Sequence, residues 1–558
     1  MESVRQFPTI KAIRSFIIDG VGSGGDYHNV KGGHWLVDSD ISTPCSIWDQ
    51  YKKSRTTWGI NVLGSFLVEI EASDGTVGIA TGFGGPPACW LVHKHFERFL
   101  IGADPRNTNL LFEQMYRASM FYGRKGLPTA IISVIDLAIW DLLGKLRNEP
   151  VYKLIGGAAR ERLDFYCTGP EPAAAKTMGF WGAKVPLPFC PADGHVGMKK
   201  NVEFLRRHRE SVGPDFPLMV DCYMSLNVSY TIELARRCLD LDINWWEECL
   251  SPDDTDGFAQ IKRAHPQLKF TTGEHEYSRF GFRKLVEGRN LDIIQPDVMW
   301  LGGLTELLKV SAMAAAYDIP VVPHASGSYS YHFVISQPNT PFQEYLANSP
   351  DGRSVLPVFG DLFLDEPIPT KGFLTTADLD KPGFGLTLNP AARSKLIPSD
   401  YLLNPAPMTG PKVEVTPEVP EAPVVAVEED AKPTEAALET IPEVVPEVAP
   451  EVSPEVAPEV TPESEAPVVH VEEDAKPAEA TPETIPEAVA EAVPEATSEP
   501  TAAHAAKEDA KPTETKPEES VPEATPEVPS IAIEETKPSE KTIPVHDITS
   551  GVEALVAA

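Results

Sequence analysis

Five apolar runs in the middle of the chain each end in a side chain that can do chemistry. FPLMVD ends in Asp221, INWWE in Glu247, LKFTTGE in Glu274, LDIIQPD in Asp297 and IPVVPH in His324. Successive positions lie 26, 27, 23 and 27 residues apart. That step is close to one strand–helix unit of a (β/α)8 barrel, about 30 residues. The five groups are therefore expected at the C-terminal ends of five consecutive strands, the face where barrel active sites form. Adjacent strands lie roughly 5 Å apart, so Asp221, Glu247 and Glu274 can converge on one point.

Three converging carboxylates repel one another, and a divalent cation relieves the repulsion. An all-oxygen donor set favours Mg²⁺ over Zn²⁺ and leaves positions open for substrate. Each acid alone could instead cap the helix that follows it. Three acids at one-unit spacing fit a metal centre better. Asp297 and His324 come from the next two strands. A carboxylate beside an imidazole fixes its tautomer and raises the basicity of the other ring nitrogen, as a general base requires.

The elements that must position these groups follow from the apolar pattern. From residue 129 the chain reads TAIISVIDLAIWDLLGKL, a helix that breaks at Glu149-Pro150. Short apolar strands then alternate with amphipathic helices over about residues 154–390, which implies a parallel sheet closed into one barrel. Before the helix, residues 9–18 read as a strand. Residues 62–71 and 76–81 read as a hairpin turning at Asp74-Gly75. Residues 91–100 and 109–120 read as helices. Residues 22–54, rich in Gly, His and Asp, read as a functional loop. The expected architecture is an N-terminal α+β capping domain (1–127), a barrel domain whose last segment returns to the cap (128–404), and a disordered tail (405–558).

The tail carries the charge. The chain of 558 residues has a net charge of −34. Residues 411–558 hold 36 acidic and 8 basic residues, so 28 of those negative charges lie there. This argues against nucleic acid as a partner. APVVAVEEDAKPTEA from Ala422 repeats as APVVHVEEDAKPAEA from Ala466 and, degraded, as AAKEDAKPTET from Ala505. Frequent proline and scarce apolar surface predict an extended, unpacked segment, a spacer or a docking tail. The seven cysteines form no C-x-x-C pair and their number is odd, which fits a reducing compartment. The N-terminus shows no signal-peptide pattern and no apolar run spans a membrane, so a cytoplasmic location is expected.

VDCYMSL, WWEECL, TTGEHE, QPDVMWLGGL and VVPHAS together resemble the enolase superfamily, mandelate racemase subgroup. GSGGDYHNVKGGHW, SRTTWGINVLG, WGAKVPLP, NTPFQEYL and DKPGFGLTLN resemble its acid-sugar dehydratases. The resemblance covers about residues 10–390 and leaves the tail out. It implies one Mg²⁺ per subunit on Asp221, Glu247 and Glu274, with Glu248 the alternative if the register slips. It implies His324 as the base, Asp297 as its partner, and Glu344 of the eighth strand as a hydrogen-bonding group beside the reacting centre. His28 and Arg55, and less strongly His34, would contact a small acid-sugar substrate from loops of the cap; Lys184 and His275 would line the same site. His275 and His324 are the two candidates for the acid that releases the 3-hydroxyl.

L-rhamnonate is the substrate the resemblance implies; fuconate, mannonate and galactonate are the alternatives. It also implies a homo-oligomer, an octamer. One departure carries information: the subgroup often ends its second strand in K-x-K, and here Ala183-Lys184-Val185-Pro186 stands there. A two-base racemase or isomerase would lack one base, which favours one-base dehydration. A non-catalytic protein that binds partners through its acidic tail is the reading from another class; the intact acids and His324 oppose it.

Overall fold

The computed structural model describes residues 7–18, 33–52 and 63–399. They fall in the first of two compact units, residues 1–422. The tail, His28 and Arg55 lie outside the described residues.

Strand β1 (Ile10–Ile18) pairs antiparallel with β2 (Ser65–Ala72), and β2 with β3 (Val77–Phe83). Gly75 takes the hairpin turn at φ +90°, and Asp74 Oδ1 accepts the Thr76 N–H at 3.0 Å. On the other edge, Ile397–Pro398 pairs with β1 at Ile17 and Phe16, so the end of the described chain joins this sheet. The helical region expected at 91–100 begins earlier, at Gly85, where Pro86 and Pro87 suit a first turn. It passes through a π-helical turn at Val92–Phe96 and ends at Leu100.

The barrel strands are β4 (Arg162–Thr168), β5 (Gly182–Pro186), β6 (Leu218–Asp221), β7 (Ile243–Glu247), β8 (Phe270–Thr272), β9 (Ile293–Ile294) and β10 (Gln343–Leu346). Neighbours among these seven strands are parallel, and β10 pairs with β4; Phe373–Thr375 adds an antiparallel pairing to β4. Between β9 and β10, Val321 fills the seventh position through a single parallel bridge to Ile294. Tyr166, Met219, Trp245, Ile293 and Val322 fill the interior, with Phe342 packed against them. This apolar plug closes the floor beneath the strand ends.

Helix Leu127–Arg147 joins cap to barrel. Among the described residues it is the one helix long and apolar enough to cross a bilayer, yet most of it is buried inside the fold. A helix apolar on every face needs partners on every face. On the cap side, the Ile79 N–H donates to Asp141 Oδ2 at 2.8 Å. A Cβ on Gly78 would stand 2.2 Å from the Ala138 carbonyl oxygen, so only glycine permits this approach. On the barrel side, Ser133 Oγ accepts the Gly302 N–H at 2.8 Å and Asp136 Oδ2 accepts the Thr305 N–H at 2.9 Å. Two side chains of one helix thus cap the start of another, Gly303–Ala315.

Replacing Asp136 with Ala should cost about 1–2 kcal/mol, read by denaturant unfolding. Burial raises the Asp136 carboxyl from 3.8 to about 7. The folded state therefore holds this proton more tightly than the unfolded chain. Its contribution to stability is complete below the unfolded value and is lost as pH rises through the folded one. Relative to Asp136→Asn, the wild type should lose stability between pH 3.8 and about 7. A difference that stays flat across that window would contradict the buried-acid assignment.

Candidate active site

Strand register sets the site. Pro186 aligns with Asp221, Asp221 with Glu247, and Glu247 with Thr271. Asp221 and Glu247 therefore end adjacent strands side by side. Glu274 follows β8 by two residues, past Gly273 at φ +140°. One oxygen from each of the three carboxylates lies within 4.8 Å of the others. Burial first, and neighbouring carboxylates next, push Glu247 up to about 8. Burial and Glu248 push Glu274 up to about 7. The cluster holds more negative charge than its surroundings neutralise. Its donors are all oxygen, and this fits a hard divalent cation.

Lys184 supplies part of the missing positive charge. Its side chain is 1% exposed. The ammonium pairs with Glu247 Oε1, lies 3.0 Å from Glu344 Oε1 and 3.6 Å from Asp221 Oδ2. Burial opposes its charge, but Glu247 and Glu344 hold it well above the ordinary lysine value. The second oxygen of Glu247 accepts from Trp245 Nε1 at 2.9 Å and Gln295 Nε2 at 2.8 Å. Glu344 accepts from Thr168 Oγ1 and from the Ala325 N–H at 3.0 Å. Burial works against its ionisation, yet Lys184 and His324 keep it below the usual carboxylate range.

His324 Nδ1 and Asp297 Oδ2 are 2.6 Å apart. The other oxygen of Asp297 accepts from Ser326 Oγ at 3.0 Å and the Met299 N–H at 2.7 Å. With Nδ1 donating to the carboxylate, Nε2 is left as the basic nitrogen. It lies 3.8 Å from Glu274 Oε2, so it faces the carboxylate cluster. Burial lowers the affinity of His324 for a proton, but Glu274, Asp297 and Glu344 raise it well above the ordinary imidazole value.

Glu248 takes a different direction from Glu247. It sits at φ +42°, where the strand has ended, and both its oxygens lie 3.0 Å from His275 Nδ1. Burial disfavours the charged His275 ring, but Glu248 lifts it to about 9. Glu248, Glu274 and His275 form a second group whose donor atoms lie within 4.8 Å of one another, sharing Glu274 with the first.

Residues 52–156 match the family described as the mandelate racemase / muconate lactonizing enzyme N-terminal domain. Residues 173–392 match the one described as enolase C-terminal domain-like. Together they span more than half of the chain. The chain belongs to the mandelate racemase group of the enolase superfamily. Among solved structures it is similar to rhamnonate dehydratase from Gibberella zeae complexed with Mg: 87% identity, 73% of this chain, 100% of that chain, TM-score 0.71. A second structure, L-rhamnonate dehydratase from Gibberella zeae, shows 84% identity over the same shares, with a TM-score of 0.69. The 3,6-anhydro-D-galactonate cycloisomerase from Zobellia galactanivorans shows 28% identity over 70% of this chain and 99% of that one, with a TM-score of 0.53.

In this enolase-superfamily chain, Asp221, Glu247, Glu274, Asp297, His324, Glu344, Lys184 and His275 all reach one barrel mouth. His34 Nδ1 accepts the Leu36 N–H at 3.2 Å, and its ring stacks on Trp35. Sequence reasoning missed Gln295 and Thr168, whose signal was available. Gln295 follows β9 directly and stands two residues before Asp297. Thr168 ends β4 as Asp221 ends β6. It also missed Trp300, which reads as one more apolar residue.

Replacing Asp297 with Asn removes a carboxylate that raises the His324 proton affinity. The acidic limb of the pH–rate profile should move to lower pH, with turnover down by roughly 10²-fold. An unaltered profile would mean the dyad does not tune the base.

Proposed function

We propose that the protein dehydrates an acid sugar with the help of Mg²⁺, and that L-rhamnonate, yielding 2-keto-3-deoxy-L-rhamnonate and water, is its substrate. The observation that carries this reading is the 2.6 Å His324–Asp297 pair, with Nε2 turned toward a three-carboxylate cluster. The 87% identity to the Gibberella zeae enzyme over that whole chain supports the substrate.

In this reading Asp221, Glu247 and Glu274 hold the cation. Bound there, Mg²⁺ acts as a Lewis acid for the negative charge that builds on the substrate's carboxylate end. His324 Nε2 takes the proton from C2. Asp297 fixes the ring and steadies the imidazolium that results. Ionised Glu344 is the acceptor available to a substrate hydroxyl at that end. Lys184 keeps Glu344 charged and favours the ionised form of Glu247, rather than acting as a second base. The 3-hydroxyl leaves as water, with its proton from His324 or His275, and the enol becomes the 2-keto acid. His28 and Arg55 contact the substrate from the cap.

The working organisation is a cap over residues 1–127, a barrel over 128–404 and an accessory tail over 405–558, assembled as a cytoplasmic homo-oligomer, an octamer by resemblance. Fuconate, mannonate or galactonate turnover is the closest alternative. A binding protein working through its acidic tail is the more distant one; full activity of a chain cut after residue 403 would leave the tail accessory.

Purified protein with Mg²⁺ and a panel of acid sugars should give 2-keto-3-deoxy product, detected by semicarbazide absorbance, from L-rhamnonate above the others. EDTA should abolish it. His324→Asn should lose turnover by at least about 10²-fold while keeping Mg²⁺ affinity. Turnover that survives in His324→Asn would sink the base assignment, and product from a different acid sugar would revise the substrate.

A further inference from the structure

We infer that Trp300 is a positioning residue: its indole fixes the ring planes of His324 and His275 and ties them to the cap. The inference rests on the dehydratase reading for its kinetic test, but its geometry stands apart from it. The Trp300 N–H donates to the Asp297 carbonyl at 3.0 Å, so the chain that delivers the Asp297 carboxylate also delivers the indole. The Trp300 ring centroid lies 5.3 Å from that of His324, tilted 39°, and 5.4 Å from that of His275, tilted 45°. Phe83, the last residue of β3 in the cap sheet, meets Trp300 at 5.6 Å and 87°, edge to face. The indole is thus shared by both imidazoles and by the cap.

Each imidazole already has a carboxylate on Nδ1: Asp297 for His324 and Glu248 for His275. One hydrogen bond fixes a point of a ring, not its plane. The ring can still swing about that contact and carry Nε2 away from the reacting carbon. A rigid aromatic surface against the ring removes that freedom. Tyr223 adds an edge contact to His275 at 5.6 Å, but for His324 the indole is the aromatic contact seen among the described residues. Reacting atoms misplaced by about 1 Å lose roughly 10²-fold in rate, so the orientation of the plane matters.

The test uses full-length, Mg²⁺-loaded protein carrying Trp300→Ala, Trp300→Phe, Phe83→Ala and the Phe83→Ala/Trp300→Ala pair. Trp300→Ala should lower kcat on L-rhamnonate by roughly 10²-fold, with KM and Mg²⁺ affinity nearly unchanged. Trp300→Phe, which keeps an aromatic face, should recover most of the loss. Phe83→Ala should cost less, and the pair should cost no more than Trp300→Ala alone. A kcat for Trp300→Ala close to wild type, or equal losses in Ala and Phe, would overturn the inference. Additive losses in the pair would overturn the tie to the cap.

If Trp300→Ala does not fold, Trp300→Phe and Phe83→Ala decide on the same kcat-against-KM split. A wild type silent on L-rhamnonate would count against the substrate assignment, and the histidine ring-proton shifts would then decide. Both imidazoles should move when the indole is removed; unmoved signals would refute the placement.

Discussion

Negative charge crowded at the barrel mouth is the constraint from which the rest follows. Asp221, Glu247, Glu274 and Glu344 point into one water-poor space, and no folded protein holds four such groups ionised without compensation. Lys184 answers part of the demand from inside the barrel by touching three of the four. Trp245 and Gln295 add two neutral donors on Glu247. The remaining excess suits a divalent cation. The same excess raises the proton affinity of His324, which faces Glu274 and Glu344. One electrostatic arrangement thus serves both the metal site and the base of the proposed mechanism.

The scaffold serves this arrangement by placement. Parallel register brings Asp221 and Glu247 to the same height, and the apolar plug of Tyr166, Met219 and Trp245 seals the floor. Helix Leu127–Arg147 holds cap and barrel together through Asp141 on one side and Ser133 and Asp136 on the other. It therefore belongs by packing to both halves. Its Asp136 caps the helix that follows the Asp297 and Trp300 segment, so the bridge also steadies the wall behind His324.

Much of this was legible in the sequence because the barrel writes its period into the chain. Acids and a histidine that close apolar runs at one-unit steps give the strand ends and the cluster without reference to structure. The spacing expects Glu247 rather than Glu248 beside Asp221; Glu248, at positive φ, faces His275 instead. Lys184 was harder. Every residue of β5 is buried, so no alternation reveals which side chains face the mouth. Its contacts depend on Glu344, 160 residues further along the chain. Trp300 lies beyond its apolar strand and looks like ordinary core; only the fold shows two imidazoles and Phe83 around it. The helical region expected from residue 91 begins six residues earlier, at Gly85, where two prolines suit a first turn.

The most direct measurement is a crystal structure of the protein grown with Mn²⁺ in place of Mg²⁺, read by anomalous scattering. Manganese shares the preference for oxygen ligands and marks its own position. A single peak among Asp221, Glu247 and Glu274, with Lys184 still on Glu247 and Glu344, is the expected result. A peak among Glu248, Glu274 and His275 instead, or an ion that displaces Lys184 from the cluster, would contradict the division of charge between lysine and metal.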